Sequence, residues 1–483
     1  MLFNTFYFVF IFLPVTLFLV KIIKKINNQQ LLYVFLIISS FYFYSFFFPK
    51  YLFLLLFSIL FNFFLAKILI KVKNNRRKNV FYITIIFNLI ILIYYKYFNF
   101  IISNISILFN YKIAEFDIKL PLAISFFTFQ QIAFITSVYK KEIKEFKIIK
   151  YFLFISFFPQ LIAGPIVKFN CFNPQLSKKN WNNILSKKNL RIGLFIFSIG
   201  MFKKIVISTY LAKISDPIFL NINNNLIVNT LDSWLALITF SLQIYYDFSG
   251  YTDMAIGLAL CFGIKLPINF FSPYKATSIK AFWKRWHITL SSFLRHHIYI
   301  PLGGNRVSNL KTNNNILITM LLGGIWHGAS WNFLIWGAYH ATLITLEKIT
   351  LKIKLIKYLN INKNILKLFT FFLITIGWIP FRCNNLEATN TMLQSLFIIQ
   401  NKKLFFDTLN YFFYTSIVTA ILIFIFLLPN SAEIQKWLEN KKHQNNKTNF
   451  FVYSLNVLML TIIFLLLSTP SKNINREFIY FQF

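Results

Sequence analysis

Residues 323–332 read Gly323-Gly324-Ile325-Trp326-His327-Gly328-Ala329-Ser330-Trp331-Asn332. Here a histidine sits inside a run apolar enough to be buried in a lipid bilayer. No Asp or Glu occurs between Met254 and Leu346, so no nearby acid balances it along the chain. A titratable side chain at bilayer depth is costly and is a functional candidate by default. The stretch 240–340 around it organises the reading, and the remainder reads as scaffold.

Working outward, apolar runs of about twenty residues recur from end to end, the length that spans a bilayer as helix. The chain is 57% hydrophobic and only 13% charged, half the charge content of a soluble domain. The fold class that follows is an all-α, polytopic integral membrane protein. The net charge of +36 does not indicate nucleic acid. The basic residues lie in short clusters between apolar runs, as the positive-inside rule requires. Cys171, Cys261 and Cys383 have no paired spacing, which leaves no disulfide framework and no thiol–zinc signature.

Lysine clusters orient the chain. Lys21, Lys24 and Lys25 follow the first apolar run (2–20), which places the N-terminus outside. Spans at 31–48, 51–70, 80–95 and 121–139 then alternate with the basic loop 71–78 and a more polar outer segment, 99–119. Segment 152–167 holds Pro159, Gly164 and Pro165 with lysines on both sides, and reads as re-entrant. Spans at 192–211 and 233–246 follow, then a separate short helix at 247–263. Residues 265–311 form the main cytoplasmic loop, with eight basic residues and no acid. Residues 316–347 form a helical hairpin with His327 near its middle. Lysine-rich 348–367 returns to the cytoplasm, and three spans (368–381, 411–428, 451–468) complete about 11–12 crossings plus re-entrant helices. Three regions result: N-terminal helices 1–120, a core 121–400 and C-terminal helices 401–483. No internal repeat is visible, which weighs against inverted-repeat transporters.

Five of the six histidines fall between His287 and His340. Gly323, Gly324 and Gly328 around His327 allow close approach of backbone or substrate. Trp326 and Trp331 can wall a pocket. A neutral imidazole there can act as general base, worth roughly 10²–10⁴-fold in rate. The competing reading is a histidine bonded between helices, and His340 fits that description better than His327. His287 lies in Phe282-Trp283-Lys284-Arg285-Trp286-His287, where Trp and cations suit an interfacial helix or an anionic substrate. A metal site is not indicated, because no carboxylate or cysteine lies nearby to complete a ligand set.

These residues, in order, resemble the membrane-bound O-acyltransferase family. The resemblance runs roughly from Ser125 to Gln394. It comprises Ser125-Phe126-Phe127-Thr128-Phe129-Gln130, Phe157-Phe158-Pro159-Gln160-Leu161-Ile162-Ala163-Gly164-Pro165 and Asp247-Phe248-Ser249-Gly250-Tyr251-Thr252-Asp253. It continues through Asn269-Phe270, Pro273-Tyr274, residues 282–291 and Tyr299-Ile300-Pro301-Leu302-Gly303-Gly304-Asn305-Arg306. Trp326-His327-Gly328, Trp336-Gly337, Gly377-Trp378 and Phe381-Arg382 complete it. The branch it is most similar to acetylates cell-envelope polymers such as alginate and peptidoglycan, with the teichoic-acid D-alanyl transferases more distant.

The resemblance implies a helical ring around a transmembrane funnel, with His327 catalytic, either as general base or as transient carrier of the acyl group, and His287 in the same tunnel. Trp326, Trp331, Asn332, Asp253, Asn269 and Trp286 would line that tunnel or the substrate. Lys284, Arg285, Arg295 and Arg306 would bind the donor, and the basic loop 265–311 suits an anionic thioester. It further implies an acetyltransferase of the bacterial cytoplasmic (inner) membrane, with acetyl-CoA as donor substrate, no bound cofactor and an extracytoplasmic partner protein. Peptidoglycan is the favoured acceptor, with alginate, another exopolysaccharide or D-alanyl transfer as alternatives. A transporter or flippase using His327 as proton relay is the alternative of another class.

The chain departs from the family pattern at Arg295-His296-His297, where Arg-Asp-Tyr is usual, at Ser137 in place of an aspartate, and at Ala341 in place of a glycine. With two carboxylates missing, Asp247 or Asp253 is the local candidate to orient His327. Asn332 or the glycine-rich backbone is the candidate for stabilising an oxyanion.

Overall fold

The protein is described here from a computed structural model, which covers residues 1–111, 113–350, 362–400, 402–440, 446–468 and 479. The lysine-rich segment 351–361 lies outside the described residues. Among these residues the structure is helical throughout, with no strand. Among the described residues five helices are long and apolar enough to cross a membrane: Lys50–Lys71, Asn74–Phe109, Lys363–Arg382, Thr408–Leu427 and Phe450–Ser468. The other expected crossings fall on helices that are shorter, more polar or interrupted by π-helical turns.

The chain divides into two compact units. The first comprises Met1–Met201, Tyr251–Pro267 and Trp437–Asn475; the second comprises Phe202–Gly250, Ile268–Lys436 and Arg476–Phe483.

In the first unit the helix begun at Asn74 does not stop near residue 95. It passes through a π-helical turn, Ile93–Tyr97, and continues to Phe109. The polar residues that suggested a loop are satisfied locally. Ser103 Oγ and Asn104 Nδ2 donate to the carbonyl of Phe100, while Asn99 exchanges two hydrogen bonds with the backbone of Phe116.

Segment 152–167 is broken where its prolines and glycine predict. Helix Ile148–Ser156 ends at Phe157, and a single turn, Phe158–Leu161, follows. The side chains of Phe157, Phe158, Ile162 and Ala163 are fully buried. Ser40 Oγ accepts the backbone N–H of Phe158, and Gln130 Oε1 accepts from Gln160 Nε2. Broken backbone is therefore enclosed by protein, the condition under which an apolar medium tolerates it.

One expectation fails outright. Residues 233–246 and 247–263 are not two helices but one, Thr230–Cys261, 32 residues long. Gly250 and Gly257 cost about 1 kcal/mol each in helix propensity, and packing offsets this. A Cβ on Gly257 would lie 2.6 Å from the backbone nitrogen of Phe197, so the bare glycine lets helix Lys187–Met201 press against it. Small residues at such crossings are the usual means of close helix contact in apolar surroundings.

In the second unit, helices Asn309–His327 and Trp331–Thr350 form the expected hairpin. A Cβ on Gly324 would fall on the carbonyl oxygen of Phe333. Backbone cannot yield as a side chain can, so Gly324→Ala is expected to destabilise by about 3 kcal/mol, the upper end of ordinary overpacking. Thermal unfolding in detergent checks this, and an unchanged midpoint would show that the hairpin is looser than described.

Candidate functional site

His287, His327 and His340 lie in the second unit, on different elements. His327 is the last residue of Asn309–His327. His340 lies on the following helix, Trp331–Thr350. His287 precedes the short helix Ile288–Leu294 and has φ +41°, ψ +55°. A non-glycine residue held in the left-handed region costs energy that its surroundings must supply, and such residues cluster at functional sites. All three imidazoles are buried.

Aromatic rings join them. The Trp326 ring lies 5.8 Å from His287 and 4.9 Å from His327, centre to centre. The Trp336 ring lies 4.9 Å from His327 and 4.8 Å from His340. Phe381 closes on His327 at 5.1 Å, and Phe248 stands edge-on to His287 at 4.7 Å. Trp283 packs on His340 at 5.1 Å. Neither ring nitrogen of His340 has a hydrogen-bond partner among the described residues. The site is thus a buried apolar enclosure holding imidazole bases. Such an enclosure excludes water and strengthens electrostatic interactions within it.

The residues expected to line this site separate into groups. Trp326, Trp286 and Asn269 are buried in the second unit. Trp286 packs on Phe270 at 5.0 Å and on Trp378 at 4.9 Å, which makes it part of the aromatic wall. Trp331, expected to wall the pocket, is instead 53% exposed, because it begins its helix and its side chain faces away from the core.

Asn332 is buried, but its amide is spent. Its Nδ2 donates to the carbonyls of Cys383 (2.7 Å) and Asn385 (3.0 Å), leaving no N–H for an oxyanion. The expectation for Asn332 is therefore corrected: it ties the hairpin to the segment after Phe381.

Asp247 does not orient His327 either. Its Oδ1 accepts from Lys204 Nζ and from Ser208 Oγ (3.2 Å), and its Oδ2 accepts from the backbone N–H of Ile479 (3.0 Å). Lys204 and Asp247 form a buried ion pair, and the π-helical turn Phe202–Ser208 supplies Lys204. Asp253 is buried further along the same long helix as Asp247.

Lys284, Arg295 and Arg306 are exposed and Arg285 is half-buried. That suits contact with a soluble anion. At the departure from the family pattern, the rings of His296 and His297 sit 2.7 Å and 3.0 Å from the carbonyls of Ser292 and Phe293, one turn back on their own helix. Among the described residues no group of three or more His, Cys, Asp or Glu converges as a metal site would require.

Residues 136–360 match the model of MBOAT, the membrane-bound O-acyltransferase family. The peptidoglycan O-acetyltransferase of Helicobacter pylori is 36% identical over 530 aligned residues, covering 100% of this chain and 98% of that protein. The chain belongs to the membrane-bound O-acyltransferase family. Further relatives include the probable alginate O-acetylase AlgI of Pseudomonas aeruginosa, 34% identical over 404 residues, which cover 82% of this chain and 75% of AlgI. The teichoic acid D-alanyltransferase of Bacillus subtilis is 31% identical over 235 residues, covering 46% of this chain and 58% of its own length. This membrane-bound O-acyltransferase is therefore a membrane enzyme of the acyltransferase class.

Sequence reasoning singled out His327 and His287 but gave Trp336 and Phe381 no role at the histidine. In a chain that is 20% aromatic, one more Trp or Phe carries little signal, and only packing separates these from the rest.

Proposed function

We propose that this acyltransferase takes an acetyl group from cytoplasmic acetyl-CoA and delivers it across the inner membrane for O-acetylation of a cell-envelope polysaccharide. Peptidoglycan is the favoured polymer, and an extracytoplasmic transferase is the partner that completes delivery. The N-terminus lies outside in this reading. The observation that carries it is the pair of buried imidazoles, His287 and His327, packed on either side of Trp326.

In the reaction, the acceptor hydroxyl oxygen attacks the thioester carbonyl carbon. His327 takes the hydroxyl proton, the carbon–sulfur bond breaks, and the proton passes to the leaving sulfur. An ester and a free thiol result. The exposed basic residues Lys284, Arg295 and Arg306 suit the phosphates of the donor. Similarity to the H. pylori peptidoglycan O-acetyltransferase along the whole chain supports that polymer over alginate, since the AlgI match covers less of both chains.

The test is donor selection. Purified protein in lipid nanodiscs is given radiolabelled acetyl-CoA or a D-alanyl carrier-protein thioester, with a secreted acetyltransferase as acceptor. Label is expected to move from acetyl-CoA alone. Transfer from the carrier thioester instead would replace the donor assignment, and substrate transport without thioester cleavage would replace the enzyme by a transporter.

A further inference from the structure

Asn269 makes a set of contacts that none of the other lining residues makes. It is fully buried in the segment between the long helix and the turn Pro273–Lys275. Its backbone carbonyl accepts the N–H of Ile288 at 2.9 Å. Its side-chain Oδ1 accepts the backbone N–H of Thr289 at 3.2 Å and the Thr289 hydroxyl at 2.9 Å. The backbone donor fixes which end of the carboxamide is oxygen, since only an oxygen can accept there.

That oxygen also lies 3.2 Å from His287 Nδ1. An amide oxygen only accepts, so His287 Nδ1 carries the proton and Nε2 carries the basic lone pair. Asn269 thereby holds both the left-handed backbone at His287 and the tautomer of its ring.

The other end of the same carboxamide faces differently. Asn269 Nδ2 is buried and has no hydrogen-bond partner among the described residues. Two N–H donors left unmet at full burial are expensive, and a catalytic role that brings a substrate acceptor to them is one way a native structure offsets the cost. Aromatic rings pack around the His287 imidazole that Asn269 holds: Phe248 and Phe270 lie on it, and Trp286 packs on Phe270. Asn332, the sequence-based candidate for an oxyanion donor, has no N–H left to give.

We infer that Asn269 is the oxyanion donor of this enzyme, its Nδ2 hydrogens meeting the thioester carbonyl oxygen while its Oδ1 holds His287 as the Nδ1–H tautomer. This rests on the acyl-transfer reading above. In the step, the carbonyl carbon becomes tetrahedral as the acceptor oxygen bonds to it, and its oxygen takes up the negative charge facing Nδ2. The carbonyl re-forms as the carbon–sulfur bond breaks, and the proton released by the hydroxyl leaves with the sulfur.

Asn269→Asp separates the two roles. In its ionised form the new side chain keeps acceptors for Thr289 and His287 but has no hydrogen to offer, so the variant is assayed on the alkaline side, where the upward push of burial on the carboxyl is overcome. With the reconstituted full-length enzyme, kcat is expected to fall about 10²–10³-fold, while KM and the affinity for a carbonyl-free CoA thioether stay near wild type. A second measurement does not depend on the amount of folded protein. Dithioacetyl-CoA carries C=S, a poor hydrogen-bond acceptor, so the wild type is expected to discriminate against it and Asn269→Asp to lose that discrimination. Wild-type kcat in Asn269→Asp, or undiminished discrimination, would overturn the assignment and leave Asn269 a positioning residue for His287. If the wild type uses another thioester donor, the same oxygen-to-sulfur comparison is made on that donor. Failure of acetyl-CoA then removes the donor assignment and leaves the oxyanion assignment standing or falling on its own ratio.

Discussion

Replacing His327 by alanine is expected to reduce acyl transfer by about 10²–10⁴-fold, the range contributed by a positioned general base. The imidazole is buried at a helix terminus with Trp326, Trp336 and Phe381 within 5.1 Å of its centre. The same packing means that the variant leaves a small apolar cavity, so thermal unfolding must accompany the rate measurement. His327→Gln fills more of the space and still lacks a base, so it should lose the same rate with less loss of stability. Full transfer by either folded variant would remove His327 from the chemistry and leave His287 as the base to test.

The second large effect is structural. Lys204→Met is expected to destabilise the second unit by about 3–5 kcal/mol, because it leaves Asp247 charged and buried without its partner. The ion pair itself need not contribute that much, since bringing two charges out of water offsets most of their attraction. The double variant Lys204→Met with Asp247→Leu should therefore recover most of the loss. Ser208 Oγ and the Ile479 N–H also lose an acceptor in that variant, so recovery is expected to be incomplete. A single variant as stable as wild type in thermal unfolding would show that water or another group reaches Asp247.

Several elements are legible in the amino-acid sequence. The helical class, the interrupted 152–167 segment and the hairpin around His327 follow from hydropathy, proline and glycine placement. These are local properties, and the folded protein retains them. The continuous helix Thr230–Cys261 is not legible, because glycine in a sequence reads as a break. Whether it is one depends on what presses against the bare backbone, here helix Lys187–Met201.

The site divides in the same way. The sequence by itself determined the membrane class and the family and singled out His327 and His287 as candidates, because ordered motifs and an acid-free apolar stretch are properties of the chain as written. It also named Asn269 and Asn332 together as lining residues, chemically identical on paper. Only the tertiary structure told them apart. The amide of Asn332 is spent on carbonyls 51 and 53 residues away, whereas Asn269 reaches 18 residues to His287 and keeps an amide nitrogen in reserve. Likewise Asp247, a candidate to orient His327, is taken by Lys204 43 residues earlier. Hydrogen bonds of that span depend on where distant segments of the chain meet, and a single sequence holds no record of it.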